Sequence, residues 1–508
     1  IYIHLINEVL AQGKQVLYML PEIVLTSQLT ERLRKVFGDR LGVYHSRYTD
    51  AERVEVYRKQ ISDTPYDIIV GVRSSVLLPF HNLGMVIIDE EHETSFKQTE
   101  PAPRYHARNV ALVMARMSGA KTLLGTATPS LESYSNAVAG KYGYVSLTTR
   151  FGNVCMPEIE VVDIAELKRK KLMNGPFSPV LLREIRQALE RKEQVILFQN
   201  RRGFAPVVEC HVCGWTPQCP HCDVSLTFHK RSNSLTCHYC GFSTSVAQRC
   251  PQCDADRLSS KGYGTERIED VLASIFPDAR VARMDLDTTR SRSAYEGIIK
   301  GFQRGDTDIL IGTQMVTKGL DFRRVSVVGI LNASTMLNQP DFRSYERAYQ
   351  MMTQVAGRAG RSSAGNGQNV RPGRVILQVH DAKQPTVMQV VRGDFEGMFR
   401  TQMEERRLFI YPPLCRLVYV YIKHKDEIVL EHLAEELAAL LRQVFGHRVL
   451  GPDMPPIARV QTMYIRKVCL KLELTANMAE ARRRLHEIQK YMTSKPEYKS
   501  AVMYYDVD

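Results

Sequence analysis

The feature that most constrains this chain is a group of eight cysteines within 44 residues. They form four C-x-x-C pairs: Cys210 with Cys213, Cys219 with Cys222, Cys237 with Cys240, and Cys250 with Cys253. A segment this short buries too little apolar surface to fold by itself, so bound metal is expected to hold it together. Because zinc takes four thiolates in a tetrahedral site, eight cysteines predict two zinc ions per chain.

The cysteine pairs can be combined in two ways. Joining 219/222 to 237/240 gives the spacing C-x2-C-x14-C-x2-C, close to the common zinc-ribbon form, and the outer pairs then close the other site. A sequential combination leaves only five residues between the first two pairs, which makes a tight closure. We favour the nested arrangement, with zinc 1 held by Cys210, Cys213, Cys250 and Cys253 and zinc 2 held by Cys219, Cys222, Cys237 and Cys240. The remaining thiols, Cys155, Cys415 and Cys469, are predicted to be packed in the interior.

Length and composition set the broad class of protein. A chain of 508 residues is too long for one core and suggests about three or four domains. No apolar run approaches the roughly 20 residues that span a bilayer, and the first residues carry no signal-peptide pattern. Paired cysteines in such a chain indicate metal in a reducing compartment, so we expect a cytoplasmic protein. A net charge of +13 favours a polyanionic partner.

Apolar strands alternate with helix-like segments along most of the chain, which predicts parallel sheets covered by helices. A first α/β lobe (residues 1–150) contains QVLYMLPE, YDIIVGV, GMVIIDE and AKTLLGTATPS. A second lobe (151–399) contains QVILFQN, DARVARMD, DTDILIGTQ, VSVVGIL and GRVILQVH, and the cysteine-rich insert (208–258) interrupts it. From 400 to 508 the order strand, helix, two strands, helix, strand predicts an α+β ferredoxin-like domain.

Acidic residues follow directly after one of these strands. The apolar run 85–88 is typical of a buried parallel strand, and Asp89, Glu90 and His92 follow at its carboxyl end, where open α/β sheets bind ligands. Two adjacent carboxylates suit a magnesium–nucleotide complex, because one can hold the metal shell and the other can polarise a water molecule. An acidic, solvated turn is the alternative interpretation.

Three further stretches favour a nucleotide-driven motor. LLGTATPS has Thr126 and Thr128 at a strand end, where hydroxyl groups can relay contacts between lobes. DILIGTQMVTKGLDF carries Thr313, Gln314, Lys318 and Asp321 after a strand of the second lobe. QVAGRAGR has Gln354, Arg358 and Arg361 at a spacing that predicts one helical face, from which arginines can reach a γ-phosphate. A salt-bridged surface helix would explain the arginines but not the order of the whole set.

The ordered stretches VLYMLPEIVLTSQ, DEEHETSFKQ, GTATPS, FQNRRGFAP, GTQMVTKGLDF and QVAGRAGR resemble those of superfamily-two helicases. More narrowly, they resemble the bacterial replication-restart DNA helicases, the primosomal N′ family, over essentially the whole chain. The resemblance implies two RecA-like lobes, ATP with Mg²⁺ as the substrate complex, and the nested zinc pairs. It also implies an ATP-dependent 3′-to-5′ DNA helicase that recognises stalled or collapsed replication forks and initiates primosome assembly and replication restart.

The resemblance further implies roles for single residues. Asp89 is expected to hold Mg²⁺ through water, Glu90 to polarise the attacking water, and His92 to couple the nucleotide state to the second lobe. Nucleotide contacts are expected from Gly319, Asp321, Arg358 and Arg361, with Gln354 among the catalytic residues. DNA contacts are expected from Arg73, Phe96, Lys97, Arg201, Arg202 and Lys318. Ordinary packing in a loop remains an open alternative for Phe96.

The implied partners are forked and single-stranded DNA, single-stranded DNA-binding protein and primosome components, in the nucleoid-associated cytoplasm of a bacterium. The family is expected to carry a GxxxxGK[ST] phosphate loop, and no such motif occurs in these 508 residues. We expect that loop upstream of Ile1, and we expect residues 1–508 alone to bind DNA with negligible ATP hydrolysis. The alternatives are another superfamily-two translocase, such as an RNA helicase, and a non-catalytic zinc-ribbon scaffold that binds DNA.

Overall fold

The structure is a computed structural model that describes most of the chain. The described residues are 1–22, 27–45, 48–147, 156–200, 207–210, 215–222, 224–229, 234–237, 239–256, 258–261, 265–285, 288–289, 291–313, 322, 324–339, 341–360 and 371–508. They divide into two compact units, one of Ile1–Asn200 with Thr265–Arg400 and one of Arg201–Gly264 with Thr401–Asp508. The first unit holds the two α/β lobes, and the second holds the cysteine-rich segment and the carboxy-terminal domain.

Lobe 1 is a parallel sheet with apolar clusters on both faces. Its strands are β1 (Gln15–Met19), β2 (Leu41–Tyr44), β3 (Ile68–Gly71), β4 (Leu83–Asp89) and β5 (Lys121–Gly125), and its helices are α1 (Tyr2–Leu10), α2 (Ser27–Phe37), α3 (Asp50–Gln60), α4 (Ala107–Met117) and α5 (Leu131–Val138). The strand order is β2-β3-β1-β4-β5. Val16 and Ile87 are buried in the same cluster as residues of α1 and α2, whereas Leu17 and Ile88 share the other cluster with residues of α4. Burial on both faces explains why these strands read as continuous apolar runs.

Lobe 2 repeats this architecture with a wider parallel sheet. Its strands are β6 (Glu158–Asp163), β7 (Gln194–Gln199), β13 (Val281–Met284), β14 (Ile309–Gly312), β15 (Val325–Leu331) and β16 (Arg374–Val379). Its helices are α6 (Ile164–Arg169), α7 (Pro179–Glu190), α8 (Thr265–Ile275), α9 (Arg292–Arg304), α10 (Ser334–Leu337), α11 (Ser344–Ala356), α12 (Pro385–Arg392) and α13 (Phe395–Phe409). Within the described ranges the strand order is β13-β14-β7-β15-β16-β6. Local sequence fixes α7, because the Ser178 side chain caps the Leu181 N–H and proline fills the first helical position.

The predicted α/β alternation is confirmed in both lobes, with two additional strands. All nine predicted strands are present, from QVLYM in β1 to RVILQV in β16. The sequence interpretation did not include β2, with only four residues, or β6, which is only partly buried. Both lie at an edge of their sheet, where a strand pairs with one neighbour only. A stable edge strand therefore does not require a long run of apolar residues.

Helix α5 follows the last strand of lobe 1 but contributes to the core of lobe 2. Leu131, at its first turn, is fully buried in the same apolar cluster as Phe198 and Val355 of lobe 2. The Tyr134 ring packs edge-on against Phe395 at 5.0 Å, measured between ring centroids. The two lobes therefore share one packed region around this helix.

The carboxy-terminal domain has the predicted ferredoxin-like fold. Its elements are β17 (Cys415–His424), α14 (Glu427–Phe445), β18 (Val449–Asp453), β19 (Arg459–Val460), β20 (Met463–Glu473), α15 (Met478–Ser494) and β21 (Val502–Val507). The antiparallel order β18-β20-β17-β21 is that of a split βαβ motif, and the short β19 pairs with β20. Val418, Val420 and Ile422 bury one sheet face against both helices.

The cysteine-rich segment consists of short strands. These are β8 (Val207–Cys210), β9 (Thr227–His229), β10 (Ser234–Thr236), β11 (Ser243–Ser245) and β12 (Leu258–Lys261). In the described residues β9, β10 and β11 form one antiparallel sheet, and β8 pairs with β12. None of the helices described here combines the length and apolarity that crossing a membrane would require.

Candidate functional site

The carboxylate of Asp89 ends β4 at the carboxyl edge of the lobe 1 sheet. Its Oδ1 accepts hydrogen bonds from the Tyr2 hydroxyl and the Glu90 backbone N–H, each at 3.1 Å, and its Oδ2 accepts one from the Tyr18 hydroxyl at 3.4 Å. Gly125 lies opposite on β5, and a Cβ at that position would be 1.7 Å from the Tyr2 hydroxyl. Burial raises the pKa of Asp89, although these three donors oppose the rise. A desolvated carboxylate at this edge has the chemistry of a Mg²⁺ ligand.

Glu90 adopts a backbone conformation that is rare outside glycine. Its φ is 51°, and strain on the order of 1–3 kcal/mol in this region persists only where surrounding contacts enforce it. Two backbone hydrogen bonds fix the turn: Glu91 donates to the Gly125 carbonyl at 3.2 Å, and Glu93 donates to the Glu90 carbonyl at 2.9 Å. The Glu90 carboxylate meets lobe 2, because Gln354 Nε2 donates to its Oε2 at 3.2 Å.

His92 joins the two lobes through both ring nitrogens. Its Nε2 accepts a hydrogen bond from Gln354 Nε2 at 2.7 Å, so its Nδ1 carries the proton and donates to Thr126 Oγ1 at 2.8 Å. The Thr126 hydroxyl also accepts from the Thr128 backbone N–H at 3.0 Å. The predicted relay through threonine hydroxyls includes Thr126, which forms one hydrogen-bonded chain with His92 and Gln354. The prediction is wrong for Thr128, because its hydroxyl is buried without a hydrogen-bond partner among the described residues and only its backbone N–H takes part.

Glu91, which the sequence analysis did not single out, organises a buried polar network behind these residues. Its carboxylate accepts from Arg108 Nη1 at 2.6 Å, from the Ser130 backbone N–H at 2.8 Å and from the Ser133 hydroxyl at 2.8 Å. Only 1% of Glu91 is exposed, so each of these bonds forms in a site with little water. In the sequence, Glu91 is marked only as the third acidic residue of DEEH. If this stretch were a solvated turn, that residue would be exposed rather than buried.

Helix α11 of lobe 2 holds the amino end of α5 from the other side. Glu346 Oε1 accepts the Leu131 backbone N–H at 2.9 Å, and Arg343 pairs with Glu132 at 2.7 Å. Gln350 donates to the two carbonyl groups that precede Ser130, at 3.4 and 3.2 Å. Sequence reasoning missed these residues because charged side chains along a helix usually face solvent.

The expectation that Gln354, Arg358 and Arg361 share one helical face is corrected in one respect. Helix α11 ends at Ala356, so Gln354 lies in the helix and Arg358 lies in the turn after it, with 9% of its surface exposed. Gly360 has a φ of 69°, a left-handed conformation that ends helical geometry. Arg361 lies outside the described residues.

Other predicted nucleotide and DNA contacts also lie outside the described residues. These are Gln314, Lys318, Gly319 and Asp321 after β14, and Arg201 and Arg202 after β7. Thr313, just before the first group, donates its backbone N–H to the Met284 carbonyl at 3.4 Å. The roles of the six residues therefore stay predictions.

The loop after DEEH differs from the expectation for Phe96. The short 3-10 turn Thr94–Phe96 directs the Phe96 ring into the lobe 1 core, where it is fully buried, so bases cannot stack on it. Arg73 donates to the backbone carbonyls of Ser95 and Lys97, at 3.3 and 3.1 Å. Phe96 is thus a packing residue, and Arg73 fixes the shape of the loop that carries Lys97.

The inner cysteines form one compact group. The Sγ atoms of Cys219, Cys222, Cys237 and Cys240 all lie within 4.8 Å of one another, with 3.6 Å between those of Cys219 and Cys240. A tetrahedral zinc ion with Zn–S distances of about 2.3 Å separates its sulfurs by about 3.8 Å. Four thiols at these separations fit a structural zinc site, which would supply cross-links that a small core lacks.

The outer cysteines form the second group. The Sγ atoms of Cys210, Cys250 and Cys253 lie within 4.8 Å of one another, and those of Cys210 and Cys253 are 3.5 Å apart. Cys213 lies outside the described residues. This grouping is the nested arrangement favoured by the sequence spacing. Cys415 and Cys469 lie away from both groups and are buried in the carboxy-terminal domain.

All four C-x-x-C pairs share one backbone motif. In each, the N–H of the first cysteine donates to the carbonyl five residues later: Cys210 to Trp215, Cys219 to Val224, Cys237 to Phe242 and Cys250 to Ala255, at 2.8 to 2.9 Å. Gly241 and Asp254 occupy equivalent positions and both have positive φ, 77° and 53°. In the three turns whose cysteines are both described, the two thiols lie on one side, which suits a shared metal ion.

Three family models match separate segments of the chain. Residues 219–244 match the model for the PriA DNA helicase Cys-rich region (CRR) domain, residues 1–137 match the DEAD/DEAH box helicase model, and residues 263–363 match the helicase conserved C-terminal domain model. A solved structure of RecG bound to a three-way DNA junction aligns at 16% identity and a TM-score of 0.41, over 80% of this chain and 41% of that one.

Curated relatives match over nearly the whole chain. Replication restart protein PriA of Bacillus subtilis is 40% identical over 492 residues, which cover 96% of this chain and 60% of that protein. PriA of Haemophilus influenzae is 38% identical and covers 91% of this chain, which spans 62% of that relative. PriA of Treponema pallidum is 36% identical, over 93% of this chain and 70% of its own length. The chain therefore belongs to the PriA family of replication restart proteins.

Proposed function

We propose that this chain forms the motor and zinc-ribbon part of an ATP-dependent DNA helicase. The observation that carries the proposal is the hydrogen-bonded chain from Glu90 through Gln354 and His92 to Thr126. A residue able to activate water is thereby linked to both lobes, so a change at the nucleotide alters the contact between them. Such a link is what converts nucleotide hydrolysis into lobe movement.

The chemistry assigned to the site follows from its side chains. Asp89, at the strand end, would hold the Mg²⁺ that accompanies the nucleotide, and Glu90 would orient the attacking water and receive its proton. Arg358, and Arg361 by sequence spacing, neutralise charge on the γ-phosphate from lobe 2. Bound Mg²⁺ and ATP supply the reacting phosphate and part of its charge neutralisation. His92 keeps Gln354 oriented toward Glu90.

DNA binding is supported by one face of the carboxy-terminal sheet. The face turned away from α14 and α15 carries Tyr419, Tyr421 and Lys423 on β17, since alternate residues point to opposite sides. The rings of Tyr421 and Tyr504 stack at 5.2 Å, and Lys467 Nζ lies 5.6 Å from the Tyr419 ring. Aromatic rings beside lysines suit bases and phosphates of a single strand.

The polarity and the cellular role come from the family relationship. The relatives are named replication restart proteins, which supports a role in replication restart for this chain. The 3′-to-5′ movement on stalled or collapsed forks and the subsequent primosome assembly are proposed from the motif resemblance alone. Single-stranded DNA-binding protein and primosome components are the corresponding partners. The net charge of +13 agrees with a nucleic-acid partner.

Strand displacement by the full-length protein tests the helicase proposal. We expect ATP-dependent displacement from forks with a 3′ tail and little from forks with a 5′ tail. Equal activity on RNA duplexes would favour an RNA translocase, and DNA binding without hydrolysis would favour a zinc-ribbon scaffold. For the sheet face, Lys467→Ala should weaken binding of single-stranded DNA several-fold, whereas Lys490→Ala on the exposed face of α15 is the matched control.

A further inference from the structure

A hairpin of the carboxy-terminal domain contacts the inner cysteine group. Strands β19 and β20 are joined by a two-residue turn, Gln461–Thr462, because Val460 pairs directly with Met463. The Gln461 backbone N–H lies 3.3 Å from Cys222 Sγ and donates a hydrogen bond to it. Next to it, the Thr462 backbone N–H donates to the His221 carbonyl at 2.8 Å. Two consecutive amides of one domain are thus directed at one C-x-x-C turn of the other segment.

Apolar packing supports the same contact. Val460 packs against the small apolar core of the cysteine-rich segment, which includes Val208, Leu226 and Leu235. Because that core is small, the Val460 side chain contributes a large fraction of its buried apolar surface. The hairpin therefore contributes both hydrogen-bond donors and buried surface to the ribbon.

The backbone of the turn indicates that its conformation is enforced. Gln461 and Thr462 have φ values of 49° and 66°, in the left-handed region that two-residue hairpin turns require. Asn-Gly and similar pairs normally occupy such turns, whereas a β-branched threonine is strained there. Strain of this kind persists where neighbouring contacts over-determine the conformation. The ribbon supplies those contacts.

We infer that the Gln461–Thr462 turn is an outer part of the inner zinc site, and that metal in this site fixes the ribbon on the carboxy-terminal domain. A metal-bound thiolate is a stronger hydrogen-bond acceptor than a neutral thiol, which accepts only weakly. Metal also holds the Cys222 turn in the geometry that presents the His221 carbonyl. Loss of the ion weakens both bonds at once and leaves the strained turn without its partners.

Hydrogen exchange of residues 1–508 tests the inference from the protein side. Removing zinc with EDTA should raise amide exchange at Gln461 and Thr462 at least tenfold, while amides of β17 in the same sheet keep their protection. The same rate at the turn with and without zinc would overturn the inference. Loss of protection in β17 as well would mean that the domain had unfolded, and would count against a local docking contact.

Metal release tests it from the other side. Val460→Asp should speed the loss of one of two bound Co²⁺ ions to a chelator by about tenfold, as changes next to metal ligands typically do, and should shift the thiolate-to-cobalt absorption band. Gln461→Asn keeps the backbone N–H and tolerates positive φ, so it should behave as the unmodified chain. Unchanged release and spectrum in Val460→Asp, with the β17 amides still protected, would refute the proposal.

Discussion

Glu91 and Glu346 accept hydrogen bonds from consecutive backbone N–H groups, those of Ser130 and Leu131, although the two carboxylates belong to different lobes. The acceptor distances are 2.8 and 2.9 Å, so neither lobe dominates the contact. Negative charge at the amino end of a helix is also favoured by the helix dipole. The first turn of α5 is therefore held by both lobes, and Glu91, which binds it from lobe 1, is adjacent in sequence to the proposed catalytic Glu90.

Removing the two carboxylates should have different consequences for stability. Glu91→Ala leaves Arg108 buried without its charge partner and should lower the free energy of unfolding by about 3–5 kcal/mol. Glu346→Ala leaves one buried N–H unsatisfied and should cost about 1–3 kcal/mol. Urea denaturation measures both. Glu346→Gln, which keeps an acceptor oxygen, is the matched control, and equal losses for the two alanine variants would contradict this ranking.

Glu90→Gln should nearly abolish DNA-stimulated ATP hydrolysis by the full-length protein while ATP binding remains. The amide cannot take a proton from water, yet it keeps the shape and the contact with Gln354. Turnover and nucleotide affinity are measured together, because loss of the base affects rate rather than ground-state binding. Hydrolysis within a few-fold of the unmodified protein would show that Glu90 is not the base.

Gln354→Ala and Thr126→Val should each reduce DNA-stimulated ATP hydrolysis by about tenfold, and both should act through His92. Both remove a partner of His92, one at Nε2 and one at Nδ1. Because they break one chain, the double variant should lose much less than the product of the two effects. Full additivity, measured as log kcat, would mean that the two residues act independently.

The pH dependence of stability should contain a contribution from His106. Burial and nearby Arg108 lower the pKa of His106 to about 3 from its ordinary value near 6.5. As pH falls below about 6.5, His106 binds a proton in the unfolded chain but not in the folded chain. Its contribution to the free energy of unfolding is therefore fully present above pH 6.5 and is lost progressively as pH falls toward 3. His106→Phe should flatten thermal stability over that range. His4→Phe, an exposed histidine, is the control; an unchanged profile for His106→Phe would exclude this contribution.

Two zinc ions per chain are expected by elemental analysis of protein purified without chelator. Cys219→Ser should increase alkylation of Cys237 and Cys240 more than that of Cys250, because the first two share its site. One ion or none would contradict the count. Faster modification of Cys250 than of Cys237 would contradict the nested grouping.

The sequence was sufficient for the fold where burial leaves a simple pattern. Continuous apolar runs predicted the central strands of both lobes, and the predicted order of strands and helices in residues 400–508 is that of β17, α14, β18, β20, α15 and β21. Edge strands β2 and β6 were not predicted because β2 has only four residues, one of them glycine, and β6 mixes acidic with apolar residues and is only partly buried. The end of α11 at Ala356 was not predicted. Gly357 still has helical dihedral angles, and the positive φ that ends helical geometry occurs at Gly360, so neither glycine marks the exact end of the helix in the sequence.

The site was predictable to the level of residue type but not of partner. The strand-end position of DEEH indicated which carboxylates lie at the sheet edge. It could not show that Phe96 turns inward or that Tyr2 and Tyr18 contact Asp89, because those contacts join elements far apart in the chain. The same holds for Gln461, whose backbone rather than its side chain meets Cys222.

The burial of Leu131 in the lobe 2 core has a practical consequence for dividing the protein. A fragment that ended near residue 150 would carry α5 away from its packing partners and present the Leu131 and Tyr134 side chains to water. The complementary fragment would lack the side chains that pack against Phe198, Val355 and Phe395. These apolar residues would then be exposed, so the fragment would be prone to aggregation. A cut made just before Ser130 should instead yield a soluble second fragment, because α5 would remain with the lobe 2 core into which Leu131 packs.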